Sequence, residues 1–376
     1  MKALFLFLNN EYRTFVPPNL SSLEAFIKKG GHETMVFDTS FYPEVVNIEN
    51  AKRNEKAGTY GSIDYDKIGV PKRKKPIISD FLGVIEKFKP QMIGVSLYGY
   101  TAHIAELLCR EAKKKFPEII IFYVGIEVTL HTQQYIEKEF VDLACAGEGE
   151  KALLEVCNKI ENTNYNFTKI PNLWSKNKKG LAKPQKMGDF LDLNELALPD
   201  WSSYESYHHY SPFNGKLKKM AMVEFSRGCP YSCTYCESST LKFMHADQGL
   251  KKYVRHKSPE LCVEECSLLV KNYGIEMFYI VDGTFLVMSN QILEKLSKLF
   301  KKEVNRPFFC LTTAPSVTKE RAKLLSDMGC VQVNMGVESG NETYRKEVLG
   351  RPNMSNDRIV PSFQEMKINA IATSSQ

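Results

Sequence analysis

The 376-residue sequence predicts an α/β protein in two parts, a doubly wound sheet followed by a partial (β/α) barrel that is incomplete at the C-terminus. Three observations predict it. Apolar strand runs alternate with amphipathic helical segments over residues 1–160, pause through a polar connector at 161–218, and resume over 219–376. Each alternation is long enough for one domain. Three cysteines stand within eight residues just past the first strand of the second alternation, where α/β barrels place their chemistry.

In the first part the predicted strands are 2–8, 33–38, 92–98, 119–124 and 141–145, and the predicted helices 20–29, 78–88, 102–116, 129–139 and 150–160. Gly30-Gly31 stops the first helix in the usual way. Residues 39–76 form a long polar insertion without periodicity, a candidate lid or partly mobile loop. The connector carries short strands: Pro171–Trp174 stands in polar, Asn-rich sequence, a predicted hairpin follows, and then Leu198-Pro-Asp-Trp201. In the second part the strands are 222–226, 277–281, 308–312 and 331–337, and the helices 259–273, 290–302, 319–328 and 355–367. The chain ends near the start of a fifth strand, so a fragment of a longer barrel is expected.

Hydrophobic residues make up 43% of the chain, which excludes wholesale disorder and allows a sizeable core. The net charge of +6 is spread along the sequence, and runs such as Lys72–Lys75 and Lys113–Lys115 read as solvated faces rather than a nucleic-acid footprint. No apolar stretch approaches a membrane span, and Met1–Leu8 lacks the cleavage site of a signal peptide. A cytoplasmic protein is expected, in keeping with seven scattered cysteines. Cys262 and Cys266, one helical turn apart, read as core-facing helix residues.

The loop Cys229-Pro-Tyr-Ser-Cys233-Thr-Tyr-Cys236 follows the predicted strand 222–226 and the turn Arg227-Gly228. Three thiolates can hold three irons of a cubane cluster and leave the fourth open to a small molecule. A tetrahedral zinc site wants a fourth ligand at paired spacing, which His245 does not provide. A disulfide framework does not suit a long chain without a secretion signal. At these residues the chain resembles the radical S-adenosylmethionine (SAM) superfamily, whose signature is Cys-x3-Cys-x2-Cys with an aromatic residue, here Tyr235, before the last cysteine. The resemblance implies a 4Fe-4S cluster on Cys229, Cys233 and Cys236. It also implies SAM on the open iron, reductive cleavage of SAM, and a low-potential electron donor such as ferredoxin or flavodoxin.

Polar residues stand at several later strand ends: Asp282-Gly283-Thr284, Thr312-Thr313, Gly336-Val337-Glu338-Ser339-Gly340, and Arg351 beyond. By the same resemblance Tyr235, Asp282, Thr284, Thr312, Glu338, Ser339 and Arg351 are SAM-binding candidates, with Arg351 suited to a carboxylate. Thr284 and Ser339 also fit simple turn or cap roles.

A doubly wound sheet binds ligands past the carboxyl ends of its strands. Those ends are Ser96-Leu97-Tyr98-Gly99, Gly125-Ile126-Glu127 with Thr129, and Gly147-Glu148-Gly149-Glu150. The last imitates a dinucleotide turn, but no following strand supplies an acidic residue for a ribose. Beside a radical SAM signature this half resembles the cobalamin (vitamin B12)-binding domain of the cobalamin-dependent radical SAM subclass. The resemblance implies a Rossmann-like domain at 1–160 with Ser96, Leu97, Tyr98 and Gly99 near the corrin. Gly125, Glu127, Thr129, Gly147 and Glu148 would lie along the nucleotide tail. The loop after the first strand, Asn9–Phe15, has no histidine, so cobalt is expected without an imidazole from this loop. His103 and His131 fall on predicted helices and read as ordinary helix residues. The implied activity is methylation of an unactivated carbon of a small molecule. A cobalamin-dependent rearrangement or cyclisation, or a non-catalytic cobalamin or cluster carrier, stands as the alternative.

Overall fold

The computed structural model describes residues 1–10, 14–45, 65–71, 73–176 and 182–375. Much of the expected lid, residues 46–64 and Lys72, lies outside the described residues. The chain divides into two compact units, residues 1–191 with 196–217 and residues 192–195 with 218–376.

The first unit is built on β1 (Lys2–Phe7), β2 (Glu33–Asp38), β3 (Met92–Ser96), β4 (Ile120–Val124) and β5 (Leu143–Cys145), all parallel. β6 (Leu173–Lys176) and β7 (Ala182–Lys183) add antiparallel strands, and the spatial order is β2-β1-β3-β4-β5-β6-β7. The order reverses between β1 and β3, the switch point at which such sheets open a ligand crevice. β1 and β4 are apolar on both faces because helices cover both sides, and Ala3–Phe7 and Ile121–Tyr123 are buried. The first helix spans Pro18–Lys29, and Gly31 takes φ +90° beyond it. The expected helix at 129–139 is instead two short ones, Ile126–Leu130 and Thr132–Ile136, broken at His131, whose ψ of 39° leaves the helical region.

The second sheet is entered through β8 (Tyr210–Phe213), which the first unit contributes, and β9 (Lys216–Val223). A small antiparallel pair, β10 (Ser226–Arg227) with β11 (Arg255–His256), flanks the cysteine loop. β12 (Met277–Ile280), β13 (Phe308–Thr312), β14 (Cys330–Met335) and β15 (Ala372–Ser375) continue a parallel sheet in the order β15-β14-β13-β12-β9. Helices Pro259–Tyr273, Asn290–Glu303, Lys319–Met328 and Asn356–Ile368 link successive strands, as the periodicity predicts. Ser258 caps the first of them through the Leu261 amide, and Gly274 at φ 68° ends it. Cys262 and Cys266 are buried, as expected for a core-facing stripe. The helix Glu237–Asp247 after the cysteine loop was not anticipated, because its sequence carries no apolar stripe.

Candidate functional site

The cysteine loop leaves β10 through Gly228, at φ +88°. A Cβ there would sit 2.4 Å from the Tyr253 carbonyl oxygen, so only glycine lets the loop turn against its neighbour. The Lys242 ammonium donates to the Pro230 and Tyr231 carbonyls at 2.9 Å and to Ser232 Oγ at 2.6 Å, gathering the loop's first half. Across it, Thr234 donates its amide to the Leu349 carbonyl (3.2 Å) and its hydroxyl to that of Val348 (2.8 Å). Cys236 is the N-terminal cap of Glu237–Asp247.

Cys229, Cys233 and Cys236 are partly exposed, whereas the other seven cysteines are buried. Burial pushes the Cys229 thiol up, and its two loop neighbours push it further. Three thiols on one loop, each able to take one iron, are the donor set of a cubane cluster, and the residues present fit that group.

The sequence candidates for SAM do not all fall together. Tyr235, Glu338 and Arg351 come together. Arg351 is buried, with Nη1 3.3 Å from Glu338 Oε1 and donating to the Gly336 carbonyl at 2.8 Å. Burial raises the Tyr235 phenol, Arg351 opposes that shift, and a hydrogen bond to Glu338 adds to it. A cavity of about 220 Å³ runs from Cys233 past Tyr231 and Thr313 to Gly350, Arg351 and Met354. Thr284 and Thr312 meet separately, Oγ1 to Oγ1 at 3.4 Å and buried. Ser339 Oγ accepts from the Asn341 amide at 3.2 Å, the turn role open to it from the sequence.

Asp282 is placed differently from the expectation that it faces the ligand cavity. Its carboxylate accepts from the Phe225 amide (2.7 Å), the Ser226 amide (3.1 Å) and Ser226 Oγ (2.6 Å). It holds the segment entering the cysteine loop, and burial pushes its pKa up to about 7. Sequence reasoning missed Lys242 and the buried Arg345, because lone basic residues on helices are ordinarily exposed.

In the first unit the candidate residues lie at the carboxyl ends of β3, β4 and β5. Gly125, at φ +112°, packs so closely that a Cβ would stand 2.8 Å from both N and O of Leu97. Thr129 ties two turns together, donating to the Gly125 carbonyl (2.9 Å) and accepting from the Gly147 amide (3.0 Å). Glu127 accepts from the Tyr135 hydroxyl at 3.1 Å and lies against Gly99, where a Cβ would be 2.9 Å from its Oε2. Ser96 Oγ accepts from Asn19 Nδ2 at 2.8 Å, a partner the sequence did not flag. Leu97 is buried, while Tyr98 is exposed and stacks on Tyr100 at 5.7 Å between ring centroids. Glu148 accepts from the Leu191 amide at 3.0 Å.

The family model described as the radical SAM superfamily matches residues 223–372, and that of the B12 binding domain matches 15–157. The chain is a radical SAM protein with a B12-binding domain. Its cofactors are a 4Fe-4S cluster, SAM and cobalamin. An anaerobic magnesium-protoporphyrin IX monomethyl ester cyclase from Rubrivivax gelatinosus is 24% identical over 300 residues, covering 78% of this chain and 51% of the relative. A hopanoid C-3 methylase from Methylococcus capsulatus is 26% identical over 289 residues, covering 73% of this chain and 51% of the relative. The solved structure of the cobalamin-dependent SAM radical enzyme OxsB with aqua-cobalamin superposes with a TM-score of 0.73 at 16% identity, over all of this chain and 49% of that one. The chain thus spans about half the length of these relatives. Among the described residues no helix is long and apolar enough to cross a membrane.

Proposed function

We propose that this chain carries the cofactor-binding halves of a cobalamin-dependent radical SAM methyltransferase acting on an unactivated carbon of a small molecule or natural-product intermediate. The observation that carries the reading is the set of three partly exposed cysteines on the loop that Thr234 joins to the segment bearing Arg351, in a chain that also contains a B12-binding domain. When bound, the cluster and SAM supply a carbon-centred radical and cobalamin supplies a methyl group.

The chain's own residues bind and orient. Cys229, Cys233 and Cys236 would hold the cluster. Arg351 suits the SAM carboxylate, Glu338 suits its ammonium, and Tyr235 braces Glu338. Thr284 and Thr312 offer hydroxyls deeper in the same barrel. Ser96, Leu97, Tyr98, Gly99, Gly125, Glu127, Thr129 and Gly147 would present the corrin edge and tail groove. Glu148 would contribute by holding its turn rather than by contact. A low-potential donor such as ferredoxin or flavodoxin would deliver the electron, and the exposed cysteines suit a reducing cytoplasm.

The cyclase relative keeps a second reading open, rearrangement or ring formation without net methylation. SAM labelled in its methyl group separates the two. After anaerobic reconstitution and reduction, label in the corrin fraction and then in an added substrate supports methylation. Formation of 5′-deoxyadenosine with the label recovered only in SAM and methionine supports rearrangement. A chain that fills with iron yet retains no corrin overturns both.

A further inference from the structure

Arg345 is 1% exposed, yet no buried carboxylate accompanies it. The nearest acid, Glu342, is 3.9 Å away and half exposed. An arginine buried in this way is costly unless its donors are used, and here three are. Nη1 donates to the Ser339 carbonyl at 2.5 Å, Nε to the Met354 carbonyl at 2.8 Å, and Nη2 to Asn356 Oδ1. The Arg345 carbonyl in turn accepts from the Arg351 amide at 2.9 Å.

These bonds surround a strained residue. Glu338 has φ +65°, a left-handed conformation that costs a non-glycine residue roughly 1–2 kcal/mol. The carbonyls on either side of it are gripped by guanidinium groups, Gly336 by Arg351 and Ser339 by Arg345. A Cβ at residue 336 would lie 2.4 Å from Glu338 Oε1, so a larger residue there would push the Glu338 carboxylate aside. Strain of this kind persists only where surrounding contacts over-determine it.

We propose that Arg345 is the positioning residue of the SAM subsite, holding Glu338 in its left-handed conformation and Arg351 beside it. This rests on the reading of Glu338 and Arg351 as SAM contacts. Arg345 itself touches neither cluster nor SAM. It acts through the two backbone segments that carry those contacts.

The test uses the full chain reconstituted anaerobically with iron, sulfide and hydroxocobalamin. Iron and sulfide are counted, SAM affinity is read from the change SAM causes in the electron paramagnetic resonance of the reduced cluster, and SAM cleavage is timed at saturating SAM. Arg345→Met should keep native iron, sulfide and corrin bands and weaken SAM binding about tenfold, because the segments carrying Glu338 and Arg351 lose their shared anchor. Cleavage at saturating SAM should change little. Arg345→Lys should recover part of the affinity, because an ammonium reaches fewer acceptors than the guanidinium fork.

Native SAM affinity in Arg345→Met, or iron lost in parallel with SAM binding, overturns the proposal. Should that variant fail to fold, Asn356→Ala decides: weaker SAM binding at full iron supports it and unchanged binding overturns it. Arg351→Ala separates the two levels. If it binds SAM normally at full iron, the underlying subsite reading is wrong. If it weakens binding while Arg345→Met does not, only the role of Arg345 falls.

Discussion

Replacing Asp282 with asparagine removes a charge that the fold buries. The carboxyl is 1% exposed, and burial pushes it up to about 7 from 3.8, even though three hydrogen bonds favour the ionised form. A group whose folded pKa is raised contributes stability that is complete below its unfolded pKa, near 4, and is lost as pH rises through the folded value. The window is therefore pH 4 to 7. Three units correspond to ~4 kcal/mol lost by pH 8. Asp282→Asn keeps an acceptor for the Phe225 and Ser226 amides and has no charge to bury, so this slope should vanish. Urea unfolding of the metal-free chain, followed by circular dichroism at pH 5, 6, 7 and 8, measures it. The difference between variant and wild type cancels every other titrating group, and it should move in the variant's favour by several kcal/mol across the series. Hydrogen exchange in peptides covering 220–228 should follow the same trend. A difference that stays flat from pH 5 to 8 would refute the reasoning, because the three donors would then outweigh burial and the carboxyl would already be ionised.

Cys233→Ala should lose the iron and sulfide of the reconstituted chain and keep its corrin absorbance, and loss of both would contradict two independent units. Gly125→Ala should destabilise the first unit by 2 kcal/mol or more, since φ +112° is strained for alanine and the new Cβ meets Leu97 backbone; urea midpoints and corrin retention both read it. Asp38 accepts from His208 Nε2 at 2.9 Å, and although burial raises its pKa, the His208 hydrogen bond and charge lower it on balance. A lowered acid contributes stability above its unfolded pKa and loses it as pH falls through the folded value, here below about 4. His208→Phe leaves that carboxylate with burial and a weaker partner set, so the acid-unfolding midpoint should move to higher pH in a circular dichroism titration. An unmoved midpoint would remove His208 as the cause.

The elements most legible in the sequence are those whose burial is two-sided or strictly one-sided. β1 and β4 read as apolar runs because the sheet is covered on both faces. Helices 259–273 and 319–328 read correctly to the residue because a capping Ser258 or Thr318 and a terminal Gly274 or Gly329 mark their ends. Glu338 and Arg351 were singled out together from the sequence, whereas their nearness to Tyr235 was not legible there. The direction of Asp282 was not legible either, since a residue at a strand end faces the cavity or the neighbouring strand according to one backbone rotation. The helix 237–247 hides because its exposed Phe243 and polar neighbours leave no stripe to detect. β6 and β7 answer to the hairpin expected in the connector, but their place in the sheet was not legible, because it comes from pairing with the edge of β5 rather than from their own side chains.

The contrast between three accessible thiols and seven entombed ones makes the chain chemically self-reporting. A maleimide added under native conditions can reach only the loop of Cys229, Cys233 and Cys236, since burial holds thiols such as Cys109, Cys145 and Cys157 protonated and out of reach. The number of adducts by mass spectrometry thus counts vacant sites directly, and assembly of the inorganic core proceeds without competing sulfur donors to misdirect it.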